Sequence, residues 1–561
     1  MIKYRTWWVI VLGYALLATL YTSLAALSTP NLQAILQEHT PGILYAHLIL
    51  ILFTLLLDFG AVNRMRRRNP VAVRWMLLTF MVGGTLLTAL LAPQTHRIFY
   101  DEDIYQGIAM NMAFENRAQM CNEGVQEHGI FHCQRGEYNK QPNGFPFLVA
   151  MAFRLAGVHE QAAFHLNNLL FGVALVTVFF IARHLFYSLW AGYFAALITA
   201  LIPQNLHWFN TTSAEPAAAV SAALVVLAGL RATRHRSDES LLLLVVLTSF
   251  CLHMRPENAL ILVVVPAIFL LGWPGIVRES RFYLFAGMFA LLAAPAFMHA
   301  RLVRHNPWGS GSAPFATQYF NGNLEVNLPY YFNNLQFPAL FTLLALAGWF
   351  CIRSWRAWLL LWLWFLLFWG IFLFFYAGRY DYGADIRFSI PSHLPLALLA
   401  GGATRWLGQV LARKSRRPVR QWYAIMTVFL VLAFVPFLPR VRAVTSEAWA
   451  ARADHQFARE MAATLPASTI ILTHNPNMFH LWGKNAAQAS IALEEPGHTL
   501  NYYFSRYRDG VYFHYNFWCN VADPLQNSFC TRLLERNRHE LIMEYREWNY
   551  RYALYRLLPP S

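Results

Sequence analysis

Long apolar runs separated by short polar breaks follow one another down the chain to about residue 440. They lie near 7–26, 43–61, 75–92, 165–184, 190–203, 215–230, 240–254, 258–273, 282–300, 337–352, 356–376, 389–408 and 421–438. Most approach or reach the ~20 residues that cross ~30 Å of hydrocarbon, so the pattern predicts about thirteen transmembrane helices. No small-residue cleavage site follows the first run, which is expected to remain as an anchor. Past residue 440 the pattern changes. Residues 448–465 are helix-like, Ser468-Thr-Ile-Ile-Leu-Thr473 is a short β-rich run, and His474-Asn-Pro-Asn477 is turn-like. The expected fold class is an α-helical polytopic membrane module over 1–439, with a large first outer loop over about 93–160. A small extracytoplasmic α/β domain over 440–561 completes it.

Composition supports this and excludes a soluble globule: 57% of residues are hydrophobic and only 13% charged. The net charge of +15 reads as an orientation signal rather than a nucleic-acid footprint. With Lys3 and Arg5 in the cytoplasm, the basic clusters at 63–68, 231–236, 278–281, 353–356 and 405–420 fall inside, as the positive-inside rule expects. The segments 28–40, 93–142, 204–214, 301–336 and 377–390 then fall outside, and so does the tail. The expected location is the plasma (inner) membrane, with the tail on its outer, periplasmic side.

Four of six cysteines lie in the two largest outer segments: Cys121 and Cys133 in the first loop, Cys519 and Cys530 in the tail. Close pairs on an oxidising side read as two disulfides. The rival is a metal site, since His128 and His132 flank the first pair, but no tight Cys-x-x-Cys spacing supports it.

The chemistry-bearing residues collect on the outer face. The run His96-Arg-Ile-Phe-Tyr-Asp-Glu-Asp-Ile-Tyr105 carries three acids, Asp101, Glu102 and Asp103, just past an apolar segment. Carboxylates at a membrane surface mark a functional site by default; the plainer alternative is a solvated acidic loop. Lys140 precedes a Pro/Gly break and a short surface helix over 145–155. Arg255-Pro-Glu257 lies at a helix end, and Arg379 and Arg387 bracket Tyr380-Asp-Tyr382. Each arginine alone has a plain role, snorkelling to headgroups or pairing with a carboxylate such as Asp385. Together they suggest charge-assisted binding of phosphate, with a carboxylate to accept a proton from a hydroxyl nucleophile.

At these residues the chain resembles the glycosyltransferase-C superfamily, and most of all the branch holding protein O-mannosyltransferases and the lipid A aminoarabinose transferase. Tyr100-Asp-Glu-Asp-Ile-Tyr105 is similar to the acidic opening of the family's first outer loop, and Asn139-Lys-Gln-Pro-Asn-Gly-Phe-Pro146 to its Lys-Pro-Pro closure. Phe153-Arg-Leu-Ala-Gly157, Ser213-Ala-Glu-Pro216, Arg255-Pro-Glu257 and Arg387-Phe-Ser-Ile-Pro391 follow in order. The tail run from Ile470 to Lys484 looks like the start of the family's outer domain. The chain departs from the family by two helices ahead of the acidic loop and by Gln141 in place of a proline.

The resemblance implies an inverting transferase that moves a sugar from a polyprenyl-phosphate donor to a hydroxyl on a glycan, lipid or protein acceptor. Asp101 matches the general base, with Glu102 and Asp103 as seconds. Lys140, Arg255, Arg379 and Arg387 are implied to neutralise the donor phosphate, and Tyr105, Glu215 and Glu257 to bind substrate. No cofactor or metal is expected in this branch, and no nucleic acid among the partners. The competing class is a transporter or flippase for an anionic lipid or sugar; that would favour charges near the bilayer midplane and paired halves, whereas these charges sit at helix ends.

Overall fold

The computed structural model describes all residues except 1, 58–69, 307–309, 311–312, 352–353, 382, 445, 447, 495, 522–523 and 560–561. The basic cluster at 63–68, Arg353 and Tyr382 therefore lie outside the described residues. In each of the thirteen apolar runs the described residues are mostly helical. Eight described helices are long and apolar enough to cross a bilayer on length and composition alone, among them Val71–Leu91, Glu160–Phe186 and Glu215–His235. Others, such as Leu189–Ala200, are shorter. This is a multi-pass membrane protein.

Close helix approach depends on small residues, because lipid tails offer no hydrophobic drive for helices to associate. A Cβ on Gly401 would lie 2.5 Å from the backbone nitrogen of Ala195. The long Ile390–Ser415 helix can thus lie directly on Leu189–Ala200. The core of this module runs through Phe171, Phe179, Phe194, Trp208 and Trp364.

The layer outside the helical module is one seven-stranded sheet in the order β2-β1-β4-β3-β5-β7-β6. Its strands are β1 (Met120–Glu127), β2 (Ile130–Glu137), β3 (Ile470–Thr473), β4 (Asn485–Gln488), β5 (Val511–Tyr515), β6 (His539–Glu547) and β7 (Tyr550–Leu557). The central strand β3 runs parallel to β4 and β5. Ile470 and Leu472 pack on one face and Ile471 on the other, so β3 reads as an unbroken apolar run because both its faces are covered. The Trp449–Thr464 helix covers one face with small side chains, Ala450, Ala453 and Ala458 among them.

The first loop is built into this sheet, a feature the hydropathy pattern does not carry. The β1–β2 hairpin adds itself to the tail through Glu123↔Ala487 and Gly124↔Ala486. Cys121–Cys133 ties the hairpin, and Cys519–Cys530 ties the tail; among the described residues Cys251 is a free cysteine. With Cys121 and Cys133 bonded to each other, the rival metal role for that pair falls away.

Candidate active site

The acidic run opens a helix, Asp101–Phe114, rather than a loop. Three acids in a first turn suit the positive end of the helix dipole. Gly107 lets the helix dock on the tail: a Cβ there would lie 2.1 Å from Asn477 Oδ1 on the Pro476–Leu481 helix.

Successive residues of a helix point about 100° apart, and the three acids meet different surroundings. Asp101 is half-buried and lines a cavity of about 800 Å³ between the membrane module and the outer domain. Among the described residues none hydrogen-bonds its carboxylate. Glu102 is fully buried. Its Oε2 accepts from the backbone N–H groups of Arg97 (2.7 Å) and Ile98 (3.2 Å), and its Oε1 from Thr212 N–H at 2.9 Å. Burial alone would raise its pKa, but His96 and those N–H groups outweigh burial and hold the carboxyl below its usual value. Glu102 thus ties the loop before the helix to the segment leading into Glu215–His235. Asp103 is buried and is not among the residues that line the cavity; Asn475 donates to its Oδ2 at 2.8 Å. Burial raises the Asp103 pKa, offset in part by His455 and His96.

Near the acidic turn lies a second charged group. Glu215 Oε1 accepts from Arg255 Nη1 at 2.7 Å and from Arg387 Nε at 2.8 Å. Arg255 also bonds Glu257 (2.6 Å), and Arg387 bonds Asp385 (3.0 Å). Both guanidinium groups lie over the Phe388 ring, at 5.6 and 4.4 Å. Arg387 and Asp385 reach the cavity with Asp101, Tyr376 and Asn477. Burial pushes the Asp385 carboxyl up to about 6 despite the opposing pull of Arg387.

The structure therefore gathers Asp101, Glu215, Arg255, Glu257 and Arg387, with Tyr105 buried beside them against Phe145. Arg379 is not in this group: it is half-exposed and forms a two-pronged pair with Asp381 at 3.1 and 2.9 Å. Lys140 is half-buried near His299, whose Nε2 bonds the Lys140 carbonyl at 3.2 Å. Neither Lys140 nor Arg255 is among the residues that line the cavity. Asp385, read from sequence only as an arginine partner, takes a place in the cavity wall. So do His474, Asn475 and Asn477 from the tail; their one sequence signal is the turn-like His474-Asn-Pro-Asn477.

A family model described as dolichyl-phosphate-mannose-protein mannosyltransferase matches residues 140–299. Among solved structures, ArnT from Cupriavidus metallidurans bound to undecaprenyl phosphate aligns with a TM-score of 0.55 at 14% identity, covering 87% of this chain and 98% of that one. The same enzyme in its apo state aligns at 0.54 and 15% identity, with the same coverage. The chain has the glycosyltransferase-C fold. No curated protein matches by sequence. Within the glycosyltransferase-C frame, the tail sheet and the first loop together roof the cavity, and the acidic turn stands at the junction of roof and membrane module.

Proposed function

We propose that the protein is an inverting glycosyltransferase that takes a sugar from a polyprenyl-phosphate donor and attaches it to a hydroxyl acceptor on the outer face of the plasma membrane. The observation that carries this reading is the Asp101 carboxylate, free of hydrogen bonds among the described residues, lining one cavity together with Arg387. The family match and the similarity to an ArnT bound to undecaprenyl phosphate support the donor class. Asp101 takes the proton of the acceptor hydroxyl. The acceptor oxygen forms its bond to the anomeric carbon as the bond from that carbon to the phosphate oxygen breaks, and one in-line displacement inverts the centre. The phosphate leaves with its electron pair, and Arg387 meets the charge as it develops. Arg255, locked between Glu215 and Glu257, holds Glu215 and so aims Arg387. The phosphate takes the place of Asp385 on the Arg387 guanidinium. The base and the arginine supply what this step needs, so we assign no part of it to a cofactor.

Mass spectrometry of envelope glycans, lipids and glycoproteins tests the proposal, in cells with the wild-type gene, without it, and with Asp101→Asn. One sugar-bearing product should vanish in the last two strains. An unchanged profile in the deletion strain overturns the transferase assignment.

A further inference from the structure

Beside the acidic turn, outside the lining of that cavity, four side chains from separate parts of the chain converge. His96 comes from the loop before the turn, Asp103 from the turn itself, Glu160 from the start of Glu160–Phe186, and His455 from the outer-domain helix. One donor atom from each lies within 4.8 Å of the others. We infer that His96, Asp103, Glu160 and His455 bind a divalent transition-metal ion, zinc by ligand type, which pins the outer domain to the membrane module.

The distances suit that ion. Tetrahedral zinc with bonds of about 2.0–2.1 Å sets its ligand atoms about 3.3 Å apart. His455 Nε2 lies 2.9 Å from Glu160 Oε1 and 3.7 Å from Asp103 Oδ1, which brackets that spacing. The two imidazole rings have centroids 4.6 Å apart. Two imidazole nitrogens and two carboxylate oxygens form a mixed set that zinc accepts.

Independent of the clustering is the pattern of unused atoms. Asp103 Oδ1 and His96 Nε2 are buried without a hydrogen-bond partner among the described residues. Such atoms are costly unless something binds them. The outer atoms of three of the four groups are held as metal ligands usually are. Glu102 Oε2 lies 3.3 Å from His96 Nδ1, a carboxylate behind the imidazole. Asn475 holds Asp103 Oδ2 at 2.8 Å, and Arg459 holds Glu160 Oε2 at 2.7 Å. Those contacts leave His96 Nε2 and Asp103 Oδ1 for the ion; Glu160 Oε1 and His455 Nε2 share a hydrogen bond of 2.9 Å, whose proton the ion would replace. Trp482 Nε1 also donates to Glu160 Oε1, at 3.0 Å. A cavity of about 580 Å³, lined by His96, Glu160, His455 and Arg459, gives the ion a route in.

Charge points the same way. The carboxylates of Glu102, Asp103 and Glu160 converge on His96 and His455, with the Arg459 guanidinium on Glu160, and that negative charge would draw a dication. Protons on the two histidines would cancel it equally well, and His96 is indeed pushed up to about 9 by its neighbours Glu102, Asp103 and Glu160, against the opposing effect of burial. Proton and metal make opposite predictions for binding.

The test uses the full chain in detergent, stripped with a chelator and titrated with Co²⁺ and then Zn²⁺. One Co²⁺ per chain should give the intense visible absorption of a tetrahedral site, Zn²⁺ should displace it, and the thermal midpoint should rise with bound metal. His96→Gln and His455→Gln should each weaken Zn²⁺ binding at least tenfold. Wild-type protein that binds no stoichiometric Co²⁺ overturns the inference and leaves a protonated histidine pair. Wild-type affinity in both variants overturns it too. If the variants fail to fold, the wild-type titration decides alone. The readout is binding rather than turnover, so it is independent of the transferase proposal.

Discussion

Asp101 and its two neighbours on the same helical turn live under opposite rules. The Asp101 carboxylate faces a cavity and is held by no described hydrogen bond, whereas Glu102 spends both oxygens on three backbone N–H groups. A buried carboxylate that satisfies otherwise orphaned donors stabilises the fold, and removing it exposes their desolvation cost. A carboxylate left free at a cavity wall adds little to stability and is available for proton transfer. One turn of helix thus separates chemistry from construction, and the two kinds of acid should respond to substitution in opposite ways.

The largest effect is expected at Asp101. Asp101→Asn keeps the shape and removes the proton acceptor, so transfer should fall by about 10²–10⁴-fold, some 3–5 kcal/mol of barrier. Donor binding and the thermal midpoint should stay near wild type. Glu102→Gln should show the converse. It replaces one acceptor oxygen with a donor facing N–H groups, costing about 1–3 kcal/mol of stability with a far smaller effect on turnover per folded molecule. Paired assays of turnover and thermal unfolding measure both, and a collapse of transfer in folded Glu102→Gln would erase the distinction.

Arg387 comes next. Arg387→Ala should weaken binding of a polyprenyl-phosphate donor by roughly 10–100-fold, the loss of a charge-assisted contact worth about 1.5–3 kcal/mol. Equilibrium binding of labelled donor in detergent gives the number. Unchanged affinity would move the phosphate site away from this wall of the cavity.

Much of this contrast was out of reach of the sequence. Apolar runs of about 20 residues announce membrane helices because the bilayer fixes their length, and cysteines in outer segments announce disulfides because the compartment oxidises them. Motif order placed Glu215, Arg255, Glu257 and Arg387 near one another. The family resemblance ranks Asp101 ahead of Glu102 and Asp103, but the different surroundings of the three acids follow only from the helix that turns each to a different side. The β1–β2 hairpin pairs with β4 through a contact between segments far apart in the chain, and no local periodicity encodes that partner. His96, Glu160 and His455 sit singly in three such segments, so no spacing rule gathers them. Arg379 shows the opposite failure: its place beside a tyrosine-rich loop suggested a phosphate ligand, while the fold turns it outward to Asp381.

A smaller effect should appear with pH at Asp385. Its carboxyl is raised from 3.8 to about 6 by burial, with Arg387 opposing. The folded chain therefore binds more protons than the unfolded chain between those values, and this group's contribution to stability falls as pH rises through that window. Below pH 6 the neutral acid releases its hold on Arg387. Affinity for a sugar phosphodiester, which does not itself titrate there, should rise a few-fold from pH 7.5 to 5.5. Asp385→Asn should bind tightly at both values. A variant that keeps the wild-type pH step places the titrating group elsewhere.

The smallest effect is expected at Arg379. Its pair with Asp381 has both side chains about half exposed, at 48% and 50%, where solvent screens the attraction and ordering two side chains offsets much of it; such pairs contribute about 0–1 kcal/mol. Arg379→Ala should therefore leave donor affinity, transfer rate and thermal midpoint within measurement error of wild type, while Arg387→Ala, eight residues away, changes the first two. Because both arginines stand in the same outer segment, the comparison separates a local electrostatic field from a specific guanidinium contact. Should Arg379→Ala weaken donor binding as much as Arg387→Ala does, the phosphate is drawn by the summed charge of the segment, and the geometry around Glu215 is not what selects it.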